Sequence, residues 1–203
     1  MFEHVLFPLF STPLVVYKHY KDVDILEEVK NKYAFRKVEL ECSRGSYISE
    51  NLNVLNDYPF LKKDIINYFN HYKTSVMRYD NTEFEMTTSW FTKAVKDSFS
   101  HFHNHTNSMF SGVFYLTDDN SPIEFESNIP SSSFLIMPKE KNIYNSETWM
   151  LYPEKNMMVF FPSSLRHRIG YHSSDTNRYS IAFNFFPTGQ IGIGDSSINI
   201  TIN

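Results

Sequence analysis

One cysteine, no excess of positive charge and no long apolar run: each shortage narrows what this chain can be. A lone thiol, Cys42, cannot build an intramolecular disulfide framework or a thiolate zinc site. It reads as a small packing residue in a reducing compartment. Lysine and arginine total 19 against 23 acids, a net charge of −4. Proteins that grip nucleic acid through its phosphates show the opposite balance, so a nucleic-acid partner is not expected. No stretch of about eighteen apolar residues is available to span a bilayer. The opening Met1-Phe2-Glu3-His4 also lacks the charged and apolar regions of a secretory leader. A cytoplasmic protein with no membrane partner is the expectation. Gly189-Gln190-Ile191-Gly192-Ile193-Gly194 lacks the spacing of a nucleotide fingerprint and no helix pattern follows it, so it reads as a turn before a last strand.

What is present is core-forming material. At 203 residues, 41% hydrophobic and 17% aromatic, the chain can bury a sizeable core, and no linker-like tract divides it. The patches Glu27-Glu28-Val29-Lys30 and Lys139-Glu140-Lys141 read as solvated faces. Residues 22–35 space Val23, Ile25, Leu26, Val29 and Tyr33 as a helix would, with acids early and lysines late. Residues 56–76 carry Phe60, Leu61, Ile65, Ile66, Phe69 and Tyr72 behind Pro59, and predict a second helix.

From about residue 85 the pattern shortens to strand-like runs: 85–95, 101–105, 109–117, 122–126, 133–137, 148–152, 157–161, 178–185 and 198–202. Turn-forming clusters at 118–122, 128–130 and 173–175 separate them. The fold class expected is mainly β, a double-stranded β-helix (jelly roll) with supporting N-terminal helices. It is one domain over 1–203, with helical support over about 20–76 and a barrel over about 85–203.

The chemistry gathers in two places. Three of the eight histidines fall at 101, 103 and 105, and residues two apart on a strand share a face, so a pair of them can hold one metal from one side. Alternation alone does not say which pair. Further on stand His167, Arg178 and Ser180. In 178–185, Arg178, Ser180, Ala182 and Asn184 lie on one face, and Tyr179, Ile181, Phe183 and Phe185 on the other. A guanidinium fork inside a barrel is a natural partner for a carboxylate. The flanking Trp90, Asn107, Asn184 and Arg166 fit a site wall and ordinary packing equally. Arg166 and Arg168 should point away from His167, and His172 reads as a loop residue.

Taken in order, these elements resemble a known family. His103-Asn104-His105, then Ser111-Gly112-Val113-Phe114-Tyr115, then Phe161-Pro162-Ser163 with His167, then Arg178-Tyr179-Ser180-Ile181 are similar to the 2-oxoglutarate- and Fe(II)-dependent oxygenases of the prolyl-hydroxylase-like superfamily, in its uncharacterised His-x-His branch. The likeness runs over 90–184, and Phe10-Ser11-Thr12-Pro13-Leu14 resembles the start of that branch. The resemblance implies metal ligands His103, His105 and His167, with His101 as a decoy. It also implies a cosubstrate site made by Arg178, Ser180 and Tyr115. The activity implied is that of a dioxygenase using Fe(II) with 2-oxoglutarate as cosubstrate to hydroxylate a substrate, either a small molecule or a protein side chain.

One position departs from the wider superfamily, which has Asp or Glu where this chain has His105. An imidazole there leaves the centre one unit more positive, and three histidines with an open position also suit zinc. Metal affinity of such a shell is expected to fall as pH drops through about 6. Two alternatives stand beside this reading. A cupin-like metal enzyme would usually place a glutamate four or five residues after the second histidine, where Met109 and Phe110 stand. A catalytically silent jelly roll used for binding or assembly would need neither Arg178 nor a full triad.

Overall fold

The computed structural model describes residues 3, 5–18, 21–38, 43–128 and 136–202. Cys42 and most of the expected strand at 133–137 lie outside the described residues. In chain order the elements are β1 (Val15–Tyr17), α1 (Leu26–Lys32), β2 (Phe35–Lys37), β3 (Arg44–Ser49), a 3-10 turn (Val54–Asp57), α2 (Pro59–His71) running into a π turn (Tyr72–Val76), β4 (Glu83–Phe99) and β5 (Phe110–Tyr115). There follow β6 (Ile123–Glu126), β7 (Thr148–Leu151), β8 (Met158–Pro162), β9 (His167–Ile169), β10 (Arg178–Ile191), a 3-10 turn (Gly194–Ser196) and β11 (Ile198–Ile200). The larger sheet runs β1-β8-β5-β10-β4-β3-β2 with β11 beside β10, and the smaller runs β7-β6-β9. All these strand pairs are antiparallel. The chain is mainly β and forms a jelly roll with its N-terminal helices as support, as its sequence predicts.

Strand β10 is the spine. Its alternation sends Tyr179, Ile181, Phe183 and Phe185 to the face covered by α2, where Leu61, Ile65, Phe69 and Tyr72 meet them. Those four helical residues recur at steps of three and four, the spacing that lays one stripe along a helix, and Pro59 starts it at a position that needs no N–H. Phe69 stacks flat on Phe185, with ring centroids 3.7 Å apart. Stripped of the helix, the four β10 side chains would face water at a cost on the order of 6–12 kcal/mol. That is as large as the whole net stability of a typical domain. Helical cover is therefore a condition of the sheet.

The opposite face of the same strands encloses the barrel interior. There Val113 and Tyr115 of β5 and Val159 and Phe161 of β8 pack on Ile123 and Phe125 of β6. Gly112 lets β5 approach its neighbours, since a Cβ there would lie 2.3 Å from the Phe183 ring.

Several boundaries differ from expectation. The first helix is confined to Leu26–Lys32, and the runs expected at 85–95 and 178–185 extend to Glu83–Phe99 and Arg178–Ile191. Those two strands pair along almost their whole length across a bulge at Asn184/Phe185, and this pairing carries them past the apolar alternation. Residues 101–105 are extended but form no strand: only His103 bridges, to His167. Strands β1, β2, β3 and β9 are short and partly exposed, and lack the alternation that would announce them.

Candidate metal centre

The segment joining β4 to β5 is pinned to the turn before β9. His103 N–H donates to the His167 carbonyl at 3.0 Å and His167 N–H returns to the His103 carbonyl at 2.8 Å. His105 N–H donates to the Ser163 carbonyl at 3.1 Å. These bonds bring the His167 imidazole, about sixty residues further on in sequence, to the His103 and His105 pair. One ligand atom from each of His103, His105 and His167 lies within 4.8 Å of the others.

Each ring is oriented by the same device. His103 Nδ1–H donates to the His101 carbonyl (3.0 Å), and His167 Nδ1–H to the Leu165 carbonyl (2.9 Å). His105 Nδ1–H donates to the Asn184 side-chain oxygen at 2.7 Å. With Nδ1 carrying the proton, Nε2 keeps its lone pair, so all three rings present an acceptor nitrogen in the state a metal requires. Asn184 is itself fixed, its Nδ2 donating to the Thr88 hydroxyl (3.1 Å) while Ser111 donates to its Oδ1 (2.9 Å).

Burial keeps the rings neutral. It pushes the His167 pKa down to about 3, with the neighbouring His103 acting in the same direction and the Leu165 carbonyl opposing. The Phe125 and Phe161 rings pack against it. Burial also lowers His103 and His105, opposed by the His101 carbonyl and by Asn184 respectively. His101 is not among the three converging rings: its own ring lies 5.5 Å from that of His103 with Nδ1 engaged by the Ser43 hydroxyl, and its carbonyl accepts from His103. Trp90 stands beside His105 at 5.6 Å between ring centroids.

The other end of the interior face of β10 holds the charge. Arg178 is 3% exposed, with its guanidinium carbon 5.1 Å from the centre of the Tyr115 ring. Its Nε and Nη1, and the Tyr115 hydroxyl, have no hydrogen-bond partner among the described residues. Burial pushes the Tyr115 hydroxyl up in pKa, and the Arg178 charge opposes. Ser180 is buried with its hydroxyl 2.6 Å from that of Thr92. Unpaired donors in an interior are costly, and the Asp119 carboxylate oxygen Oδ2 faces this guanidinium from 3.7 Å at Nε, short of hydrogen-bond contact.

The structure corrects some expectations and adds residues. His172 lies in the loop between β9 and β10, as expected, but it is 1% exposed and hydrogen-bonded through both ring nitrogens. Arg166 and Arg168 are occupied by Glu126 (2.6 Å) and Glu124 (2.7 Å). Asn184 shares a face with Arg178 at even spacing, which is the signal that could have assigned it; Ser111, Ser163 and Asp119 carried no such signal.

Residues 88–184 match the family described as putative 2OG-Fe(II) oxygenase, a span that contains the three histidines and Arg178. Among curated proteins none matches the sequence. Solved structures are similar in fold. A 2OG-Fe(II) oxygenase-family oxidoreductase from Burkholderia pseudomallei superposes with a TM-score of 0.60 at 12% identity, over 85% of this chain and 83% of that one. HygX from Streptomyces hygroscopicus, with nickel, 2-oxoglutarate and hygromycin B bound, gives 0.61 at 10% identity over 87% and 84%. A prolyl hydroxylase from Trichoplax adhaerens, in complex with a peptide fragment of a hypoxia-inducible factor, gives 0.62 at 11% over 85% and 83%.

Proposed function

We propose that this chain, whose residues 88–184 are those of the 2OG-Fe(II) oxygenase superfamily, is a 2-oxoglutarate- and Fe(II)-dependent dioxygenase that hydroxylates a small molecule or a protein side chain. The observation that carries the reading is the pairing of two sites on one barrel interior. Three neutral imidazoles converge at one end, and a buried guanidinium with Nε and Nη1 free of hydrogen bonds among the described residues stands along the same strand from the Asn184 that orients one of them. A metal site alone would suit many chemistries; a metal site with a buried carboxylate receptor suits a dicarboxylate cosubstrate.

The residues present fit both groups. His103, His105 and His167 would hold the metal through Nε2, and Arg178 with the Tyr115 hydroxyl would take the distal carboxylate, with Ser180 beside them. Bound together, Fe(II) and 2-oxoglutarate would activate O2, one oxygen atom going to the substrate C–H bond and the other to succinate, formed as the 2-oxo acid loses CO2. The chain's own part is to orient and to exclude water. The Nδ1 bonds prevent the rings from rotating away, the Phe125 and Phe161 walls keep the ligands unprotonated, and the buried fork sets the direction in which the dicarboxylate enters.

We take the whole of 1–203 as the catalytic unit and the cytoplasm as its setting; no helix among the described residues is long and apolar enough to cross a membrane. The HygX structure holds hygromycin B and the Trichoplax hydroxylase a peptide fragment, which supports both substrate classes and chooses neither. Zinc is the second reading of the metal, favoured by the all-imidazole donor set. Anaerobic Fe(II) and Zn(II) titrations, followed by assay of succinate release from 2-oxoglutarate with iron and air, test the proposal. Succinate formation that needs iron and Arg178 is the expected result; binding of zinc with no turnover of 2-oxoglutarate would overturn it.

A further inference from the structure

Beyond Arg178 the interior holds a carboxylate that the reading above does not use. Asp119 lies in the turn after β5, yet its side chain is 1% exposed. Its Oδ1 accepts from the Ser121 backbone N–H (3.0 Å) and the Ser121 hydroxyl (3.2 Å), and both its oxygens lie 3.1 Å from His172 Nδ1. His172 is fixed in turn: Nε2–H donates to the Thr176 carbonyl (2.8 Å), and its backbone bridges to Ser98 at the end of β4. Asp119 is thus anchored to two strands' ends, and its Oδ2 is aimed at Arg178 Nε from 3.7 Å.

This is not a closed ion pair. Arg178 Nε, Arg178 Nη1 and Asp119 Oδ2 all lack a hydrogen-bond partner among the described residues. A pair kept only for stability would close to about 2.8 Å and satisfy its own atoms, because open buried charges lose the desolvation cost without the return. Here the carboxylate balances the guanidinium from its Nε edge and leaves the Nη1 edge, with the Tyr115 hydroxyl, free.

Resting on the dioxygenase reading, we propose that Asp119, held by Ser121 and His172, is a positioning residue for Arg178: it keeps the buried guanidinium turned so that its free edge receives the distal carboxylate of 2-oxoglutarate. Held in advance, the fork pays little orientation entropy when the cosubstrate arrives.

The test is calorimetry of 2-oxoglutarate into the anaerobic Fe(II)-loaded protein. Asp119→Asn should weaken binding about tenfold and raise the KM for 2-oxoglutarate with kcat nearly unchanged, while Fe(II) affinity stays at the wild-type value. In an Arg178→Lys background the same substitution should change binding by less than about twofold, because the group it acts through is gone. His172→Gln, which leaves the carboxylate in place and removes one support, should weaken binding in the same direction by about threefold, and serves if Asp119→Asn does not fold. Unchanged or tighter binding by Asp119→Asn, or an equal effect in the Arg178→Lys background, overturns the inference. Should Arg178→Ala abolish binding while both Asp119→Asn and His172→Gln match wild type, the dioxygenase reading stands and this inference alone falls. A wild-type protein that does not bind 2-oxoglutarate overturns both.

Discussion

The two ends of the barrel interior solve opposite problems. At the histidine end every Nδ1–H has an acceptor and the free atoms are neutral nitrogens, so nothing there is uncompensated before a metal arrives. At the arginine end a buried cation, a carboxylate and a phenol each keep an atom without a partner. The first is organised by local hydrogen bonds and stays complete when empty. The second keeps unsatisfied buried polar atoms, with Asp119 facing the guanidinium from 3.7 Å. A metal ligand must be kept unprotonated, which burial achieves by itself, whereas a carboxylate receptor must stay charged, which burial opposes.

The sharpest way to break this contrast is to remove a ring. His167→Ala, the most deeply buried of the three, should abolish stoichiometric Fe(II) binding in anaerobic titration, whereas His101→Ala should bind as wild type. His105→Asp should still bind iron, because a carboxylate there restores the common facial triad. If His101→Ala loses iron and His105→Ala keeps it, the histidine end has been assigned to the wrong pair.

At the arginine end, Arg178→Ala should leave Fe(II) binding intact and cost about 2–5 kcal/mol in 2-oxoglutarate affinity, the range for truncating a buried charge pair. Calorimetry on the metal-loaded protein measures it, and an equal loss of iron would show that the two ends are not separable. Between them stands Asn184. Its replacement by Leu removes the acceptor that orients His105 and should weaken metal binding about 10- to 100-fold, in line with other outer-shell changes. Metal affinity within twofold of wild type would mean that Ser111, 3.1 Å from the same nitrogen, suffices.

A further test is in pH. Histidine titrates near 6.5 when unfolded, and burial lowers His167 to about 3 in the fold, so between those values the unfolded chain binds the extra proton. Stability of the metal-free protein should be fully present above about 6.5 and decline as pH falls toward 3, by about 1.4 kcal/mol per pH unit from His167 alone. Denaturant melts at stepped pH follow it, and His167→Phe should flatten the slope. The same lowering moves proton competition for the metal below the pH of about 6 that free imidazoles would give. Iron binding that still collapses at pH 6 would contradict the buried, neutral rings.

Much of this was legible in residue order. His103 and His105 sit in a motif with fixed distances to Ser111-Gly112-Val113, and Arg178 to Asn184 alternates so cleanly that the polar face and the helix-covered face separate on inspection. The jelly roll and the helical stripe over Phe60–Tyr72 follow from periodicity, which is local. The short strands β1, β2, β3 and β9 did not, since three to six half-exposed residues carry too little pattern and exist because a neighbour offers its edge.

What residue order determined by itself, then, is which side chains are candidates for ligating and anchoring and the faces they occupy, because both depend on spacing along the chain. Tertiary structure alone decided which three imidazoles converge, since that rests on a carbonyl of His101, a side chain 79 residues from His105 and a reciprocal bridge to His167. It alone decided that Asp119 and His172, unremarkable in a turn and a loop, are buried against each other, with Asp119 facing Arg178. Burial is a property of what the chain folds against, and no window of sequence contains it.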